Sequence, residues 1–320
     1  MKVVIVYNEP GEGATADELD VLDEVQLVSD CLVELGHQPL RLGVDLDLAK
    51  AFRFLKSKKP DLAFNLAESV ENHGALVHFV PALLDVLDIP YTGNPTVPMF
   101  ITAGKHLTKM QLQAAGIPVT PTLKPQDVKN LKPGKYIIKP IWEEGSLGLD
   151  EDSVFEAPLA DHGRISELSS EKFFIEPYIA GREFNVSMLA KPGGVEVLAV
   201  AEILFVDYPE NKPQVLGFRS KWETDSFEYT HTVRTYDLGE NGDTIAEKLA
   251  YISKKCWETL GLRGYARVDF RMDHEGNPWV LEVNANPCIS PDSGYYAACQ
   301  RVGISFTQAV ERIINDALKK

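Results

Sequence analysis

The sequence predicts a protein of mixed α and β structure: an α/β N-terminal domain with a parallel sheet, followed by two α+β regions. Strand-like apolar runs alternate with helical patterns over the first stretch of about ninety residues. Farther along, strands are separated by Gly and Pro turns, and two apolar strands at residues 264–287 form a hairpin pattern. A chain of 320 residues and 35.5 kDa can hold several cores. We expect domains at residues 1–95, 96–180 and 181–320.

The N-terminal domain alternates short apolar strands with amphipathic helices. Apolar residues at helical spacing from Asp17 to Leu35 predict a long helix, and Gly36 ends it. In chain order the expected elements are a strand at 2–7, a helix at 17–35, a strand at 39–42, a helix at 46–57, a strand at 62–66, a helix at 74–87 and a strand at 89–92. This alternation is typical of a parallel sheet covered by helices.

The remaining elements are richer in β structure. A helix is expected at 96–115, and Gly116 with the prolines that follow it ends this pattern. The expected strands lie at 136–139, 173–177, 183–190, 195–203 and 215–218, and further helices at 244–260 and 305–318. Residues 207–235 are polar, aromatic and long for a connection, so we predict a mobile active-site loop there.

Three oxygen donors lie on the hairpin. Asp269 is in the first strand, while Glu282 and Asn284 are two residues apart in the second and therefore share a face. A turn at residues 273–277 would bring the three together. Two carboxylates and an amide suit Mg²⁺, which keeps coordination sites for phosphates. The alternative is an edge hairpin with solvated charges, which the apolar residues flanking each acid disfavour.

A phosphate-binding pattern precedes the hairpin. Lys139 ends an apolar strand, and a loop at residues 143–148 follows, in which glycines and Ser146 can donate hydrogen bonds to phosphate oxygens. Lys105 lies on the helix that opens the middle region. Taken singly, each lysine could equally be a solvated side chain.

A third pattern is the extended link from Glu176 to Glu183. An apolar strand ends in the first carboxylate, and the second follows seven residues later. Such a link can offer backbone groups to an adenine edge, while a carboxylate accepts from ribose hydroxyls. The alternative is a plain strand–turn–strand with two surface acids.

Composition narrows the class of protein. The net charge of −15 and pI near 5.0 argue against nucleic acid or an anionic membrane as the main partner. The four cysteines lack metal-ligand spacing, which indicates free thiols in a reducing compartment. No secretion signal and no apolar run of transmembrane length is expected. We expect a cytoplasmic enzyme.

In their chain order these motifs resemble the ATP-grasp superfamily, and within it the D-alanine–D-alanine ligase family. The resemblance rests on Ile138-Lys-Pro, Gly181-Arg-Glu-Phe-Asn-Val, Arg267-Val-Asp-Phe and Leu281-Glu-Val-Asn-Ala-Asn-Pro. It implies α+β ATP-grasp lobes that hold ATP between two antiparallel sheets. The implied ATP contacts are Lys105, Lys139, Ser146, Glu176, Tyr178, Ile179, Glu183 and Lys221. Asp269, Glu282 and Asn284 would hold two Mg²⁺ ions, with Mn²⁺ as an alternative metal.

The implied reaction is ligation of amino acids through an acyl phosphate, releasing ADP and phosphate. The expected catalytic residues are Arg267 for the oxyanion, Lys221 on the mobile loop, Ser146 and Glu18. The expected substrate contacts are Glu18, Arg267, Cys288, Ser293 and Gly294. Ser293 is expected to meet the second amino acid's carboxylate at a helix start whose N-cap is Asp292 or Ser293. The resemblance also implies a homodimer and a place in peptidoglycan precursor synthesis.

Three departures from the family leave the substrates open. Cys288 stands where the family has Gly, and Gly294 where it has a bulky apolar residue. The family's substrate histidine is missing from its strand end, since His73 lies several residues later and the first-substrate region is rich in acids such as Glu68 and Glu71. The product is therefore D-alanyl-D-alanine or another amino acid or dipeptide conjugate. The same motifs would also fit a non-ligating ATP-binding protein or a phosphotransferase.

Overall fold

A parallel three-stranded sheet forms the N-terminal part. The computed structural model describes residues 1–142, 148–159 and 162–319. Strands β1 (Lys2–Asn8), β2 (Gln38–Val44) and β3 (Leu62–Asn65) lie in the order β2-β1-β3, and all pairs are parallel. Helices α1 (Ala16–Glu34) and α2 (Leu48–Lys58) connect them as predicted. The strand expected at 89–92 is a single bridge between Tyr91 and Ala63, because Gly93 has φ +79 and turns the chain away.

Two expected helices are each divided. The pattern at 74–87 becomes a 3₁₀ turn (Gly74–Leu76) and α3 (Phe79–Val86), and that at 96–115 becomes α4 (Thr96–Ala103) and α5 (Lys105–Ala114). Gly104 is extended between α4 and α5, and a Cβ there would lie 2.9 Å from the ring of Trp142. This break makes Lys105 the first residue of α5.

A small antiparallel sheet follows. Strands β4 (Gly134–Pro140), β5 (Val154–Ala157) and β6 (Phe173–Pro177) lie in the order β5-β4-β6. Short turns at Pro125–Asn130 and Glu151–Ser153, and helix α6 (Gly163–Ser166), accompany the sheet. Strand β5 was not predicted, because four residues are too few for alternation to be read.

The largest sheet is antiparallel and has the strand order β11-β10-β7-β8-β9. Its strands are β7 (Arg182–Lys191), β8 (Gly194–Phe205), β9 (Thr232–Thr235), β10 (Tyr265–Met272) and β11 (Pro278–Asn284). The strand expected at 215–218 is wrong, because Gly217 packs against the carbonyl of Leu149 and a helix begins at Phe218. Strand β9 lies inside the segment predicted as a loop. The helices here are α7 (Phe218–Trp222), α8 (Phe227–Thr230), α9 (Gly242–Leu260), α10 (Gly294–Arg301) and α11 (Phe306–Ala317).

The two faces of the large sheet pack against different helices. Phe184, Val268 and other even-numbered residues of β7 and β10 form a core with α4, α5 and α9. On the opposite face, Leu189 and Tyr265 pack with α1, α10 and α11. The same face continues through Arg267, Asp269 and Arg271 toward the small sheet. The boundaries at 95 and 180 stay a prediction; helices α4 and α5 belong to the core of the large sheet.

Candidate active site

The predicted hairpin brings the acidic residues together. Asp269 on β10 lies directly opposite Glu282 on β11, and Arg267 lies opposite Asn284. The turn closes as expected, with the Asp273 amide donating to the Asn277 carbonyl at 3.0 Å. Cross-strand partners share a face of the sheet, so these four side chains form one patch.

Cations surround the two carboxylates. The Arg267 guanidinium donates to both oxygens of Asp269 at 2.8 and 2.9 Å, and the Lys105 ammonium lies 3.4 Å from Glu282. Burial alone would raise the pKa of Glu282, but Lys105, Lys221, Arg267 and Lys139 lower it to about 2. Glu282 is therefore ionised at neutral pH.

A cleft opens between the small and the large sheet. Among its lining residues are all the predicted ATP contacts that fall in described residues: Lys105, Lys139, Glu176, Tyr178, Ile179, Glu183 and Lys221. Asp269 and Glu282 line it too, and Ile137, Leu149, Val215 and Leu281 supply apolar walls. Ser146 lies outside the described residues. The sequence motifs thus converge on one cleft.

Glu176 is buried between two lysines and a threonine. Its carboxylate accepts from Lys109 and Thr120, each at 2.5 Å, and from Lys139 at 2.7 Å. Burial would raise the pKa of Glu176, but Lys109 and Lys139 lower it to about 2. The Glu176 side chain therefore holds Lys139 in place, and its contact with ATP stays a prediction. Lys109 was missed, although it lies one helical turn after Lys105 and shares its face.

The far end of the cleft is built around Arg271. This buried guanidinium lies 2.8 Å from Glu183, donates to the Gly181 carbonyl at 3.1 Å and packs 5.7 Å from the Tyr178 ring centroid. Burial raises the pKa of Glu183, and Arg271 opposes this rise. The Tyr178 amide donates to the Lys135 carbonyl at 3.0 Å, which ties this link to the small sheet. Alternation from Arg267 and Asp269 could have revealed Arg271.

The Cys288 side chain contacts helix α1. Its thiol donates to Asp20 at 2.9 Å, and ligand atoms of Asp20, Glu24 and Cys288 all lie within 4.8 Å of one another. Burial, together with Glu24, Glu68 and Asp20, raises the pKa of Cys288 well above its usual value, so the thiol stays protonated. The thiolate is the nucleophilic form of cysteine, so a protonated Cys288 is a poor nucleophile.

Glu18 lies apart from this contact. It accepts from the Thr15 amide at 2.8 Å and closes the capping box of its own helix. Asp20 and Glu24, one and two turns along α1, are the acids that the structure brings to Cys288. The sequence argument chose Glu18, at the start of the helix, because α1 could not be placed against the hairpin before its docking was known.

Ser293 is the N-cap of α10, as predicted. Its hydroxyl accepts from the Tyr296 amide at 3.1 Å. Gly294 begins the helix, and a Cβ there would lie 3.5 Å from the guanidinium of Arg234. This distance is an ordinary van der Waals contact, so a Cβ at residue 294 would fit beside Arg234.

The donor set fits Mg²⁺. Asp269 and Glu282 face each other, Glu282 is ionised, and Asn284 follows on the same face of β11. All three are hard oxygen donors on adjacent strands, and Asp269 and Glu282 line the cleft. The Asn284 Oδ1 accepts from the Asn286 amide at 3.1 Å.

Comparison with known proteins shows the family. The model of the D-ala D-ala ligase C-terminus matches residues 131–315. The chain belongs to the D-alanine–D-alanine ligase family. A D-alanine–D-alanine ligase of Sphingopyxis alaskensis is 30% identical over 91% of each chain. One from Aquifex aeolicus is 29% identical over 98% of this chain and 100% of its own.

Solved structures of family members share the fold. The Bacillus anthracis D-alanine–D-alanine ligase, solved with ATP, has a TM-score of 0.72 at 19% identity, covering 99% of this chain and 97% of its own. VanG D-Ala:D-Ser ligase of Enterococcus faecalis has a TM-score of 0.71 at 16% identity, with 99% of each chain covered. The predicted ATP-grasp fold class and the family assignment are confirmed. Among helices of the described ranges, none is long and apolar enough to span a bilayer.

Proposed function

We propose that this family member joins the carboxylate of one amino acid to the amine of a second, through an acyl phosphate formed with ATP. The observation that carries this is the convergence of three cleft lysines, Lys105, Lys139 and Lys221, on the Glu282 carboxylate, with Arg267 acting on the same carboxylate. Such a concentration of positive charge matches a polyphosphate and the charge that develops when its terminal phosphoryl group is transferred.

Each residue has a role that its surroundings support. Lys139, fixed by Glu176, and Lys105, at the start of α5, neutralise phosphate oxygens. Burial and Arg267 lower the pKa of Lys221, so an anionic phosphate would stabilise its ammonium form. Glu183 lies at the end of the cleft where a ribose would sit. Asp269, Glu282 and Asn284 would hold Mg²⁺, which when bound screens phosphate charge.

Arg267 is placed to serve the second half-reaction. Attack of an amine on the acyl phosphate creates a tetrahedral oxyanion, which needs a fixed donor. Asp269 raises the pKa of Arg267 against the effect of burial, so the guanidinium is permanently charged, and its two hydrogen bonds to Asp269 fix its plane. The Cys288 turn after β11 supplies backbone to the same region.

The first substrate carries an ammonium group. Burial raises the pKa of Glu24 well above its usual value, and the charged neighbours acting on it, Glu68 and Asp20, are both negative. An ammonium placed against Asp20 and Glu24 would relieve that repulsion. This supports an amino acid or dipeptide as the acyl donor. D-alanine is one such substrate, and the change from Gly to Cys at 288 leaves others open.

Two assays test this proposal. With ATP, Mg²⁺ and an amino acid panel, hydroxylamine should trap the acyl phosphate as a hydroxamate. Arg267→Ala should keep ATP affinity and hydroxamate formation but reduce ligated product by about 100-fold or more. Arg53→Ala, an exposed change on α2, is the control. Full product formation by Arg267→Ala would refute the oxyanion role.

A further inference from the structure

The segment between β8 and β9, residues 206–231, crosses the cleft and contacts the small-sheet region. The Phe218 amide donates to the Leu149 carbonyl at 3.1 Å, and the Tyr178 hydroxyl donates to the Gln214 carbonyl at 2.9 Å. Val215 and Lys221 thereby line the cavity. These contacts hold the segment over the proposed ATP site.

One ammonium joins this segment to the other side of the cleft. The Lys212 Nζ forms ion pairs with Glu151, which precedes β5, and with Glu228 on α8, the latter at 2.7 Å. Glu228 also lies 3.2 Å from the Arg219 guanidinium. The Lys212 side chain is only 18% exposed, and the Phe227 ring centroid lies 5.4 Å from its ammonium.

Both ends of this contact are held by local hydrogen bonds. On one side, Asp150 caps the turn that begins at Glu151, accepting from the Ser153 amide at 3.0 Å. On the other, Ser226 caps α8 through the Tyr229 amide at 3.0 Å, which orients Glu228. A charge pair between two ordered partners loses little side-chain entropy on forming, and partial burial limits its screening.

We propose that Lys212 is a positioning residue that fastens segment 206–231 across the cleft through Glu151, and so holds Lys221 over bound ATP. The inference rests on the proposed function only for the phosphate contact of Lys221. The Lys212–Glu151 ion pair joins two parts of the chain that bound ATP would also bridge. Loss of this pair should therefore weaken nucleotide binding, although neither residue contacts the nucleotide.

Glu151→Gln is the sharpest test, because it removes the pair across the cleft and keeps Lys212 with Glu228. Binding of the non-hydrolysable analogue adenylyl imidodiphosphate is measured by calorimetry, and trypsin cleavage at Arg219 and Lys221 reports closure of the segment. We expect Glu151→Gln and Lys212→Met each to weaken binding about five- to tenfold. Analogue protection against trypsin should be reduced in both.

The double variant and a conservative change distinguish positioning from general damage. Glu151→Gln with Lys212→Met should be no weaker than the worse single variant, and Lys212→Arg should restore both affinity and protection. Lys50→Met, which breaks the exposed pair with Asp45, is the matched control and should change neither. Additive losses, or a lower melting temperature with unchanged affinity and protection, would overturn the proposal.

Analogue binding and protection from trypsin can both be measured on a chain that does not ligate amino acids. A wild-type chain that binds the analogue and is protected from trypsin, yet ligates no amino acids, would fail the proposed function and still allow the fastening to be judged. A wild-type chain that the analogue does not protect from trypsin would overturn the fastening role itself.

Discussion

Replacing Glu176 by Gln should destabilise the chain by about 3 kcal/mol at pH 7. The carboxylate is 1% exposed and is the counter-ion of two cations, Lys109 at 2.5 Å and Lys139 at 2.7 Å. A pKa lowered from 4.5 to about 2 corresponds to about 3 kcal/mol of preference for the charged form. Gln leaves both lysines close together without that charge.

Replacing Lys109, a partner of Glu176, should lower the free energy of unfolding by less than Glu176→Gln does. Burial lowers the pKa of Lys109, so its charge is held at a desolvation cost that offsets part of the attraction. Lys109→Met removes that cost and leaves Glu176 with Lys139 and Thr120, so we expect a loss of about 1–2 kcal/mol. The double variant should be more stable than Glu176→Gln alone, because it removes an unpaired buried cation.

Urea unfolding of these variants at pH 7, 4 and 3 is the assay. The folded pKa of Glu176 lies below the unfolded value, so its contribution is full above pH 4.5 and is lost as the pH falls toward 2. The deficit of Glu176→Gln should therefore shrink at pH 3. Glu156→Gln, an exposed change on β5, is the control. A deficit below about 0.5 kcal/mol at pH 7, or an equal deficit at pH 3, would refute the reasoning.

Three further predictions concern the metal, the thiol and the backbone. Glu282→Gln should raise the Mg²⁺ concentration needed for ADP release at least about tenfold, since one ligand charge is lost; an unchanged titration would contradict the metal assignment. Cys288→Gly should keep kcat within about threefold, because a protonated thiol is no nucleophile, whereas a loss of about 100-fold would refute this. Gly181→Ala should lower stability by about 3 kcal/mol in urea unfolding, because its φ is +133 and a Cβ would lie 2.1 Å from the Met272 carbonyl oxygen. Gly193→Ala, in open space at φ +82, should cost about 1 kcal/mol, and equal losses would argue against the clash.

The sequence predicted the features that depend on residues close together in the chain. The hairpin with Asp269 opposite Glu282 follows from alternation and turn chemistry, and the long helices α1, α9 and α11 follow from apolar spacing. Lys105 and Lys139 were found because each lies near the end of an element, whereas Lys221 was found only through the resemblance to the family.

The predictions that were wrong or missing concern features that depend on contacts between segments far apart in the chain. The break at Gly104 is required by Trp142, and the course of residues 215–217 is set by Leu149 on the other side of the cleft. That Asp20 and Glu24, rather than Glu18, contact Cys288 depends on how α1 docks against the hairpin. The spacing of residue types along one sequence does not show which distant segments pack together.

The central claim is tested most directly by ADP release with Mg²⁺ and ATP against D- and L-amino acids, singly and in pairs, with mass detection of products. We predict ADP formation that requires amino acids, with one ligated product for each ADP released. A D-alanyl-D-alanine product would assign the family's namesake substrates, and another conjugate would identify the ligand of the acidic pocket. ATP binding without amino-acid-dependent turnover, or a stable phosphorylated product, would contradict the account.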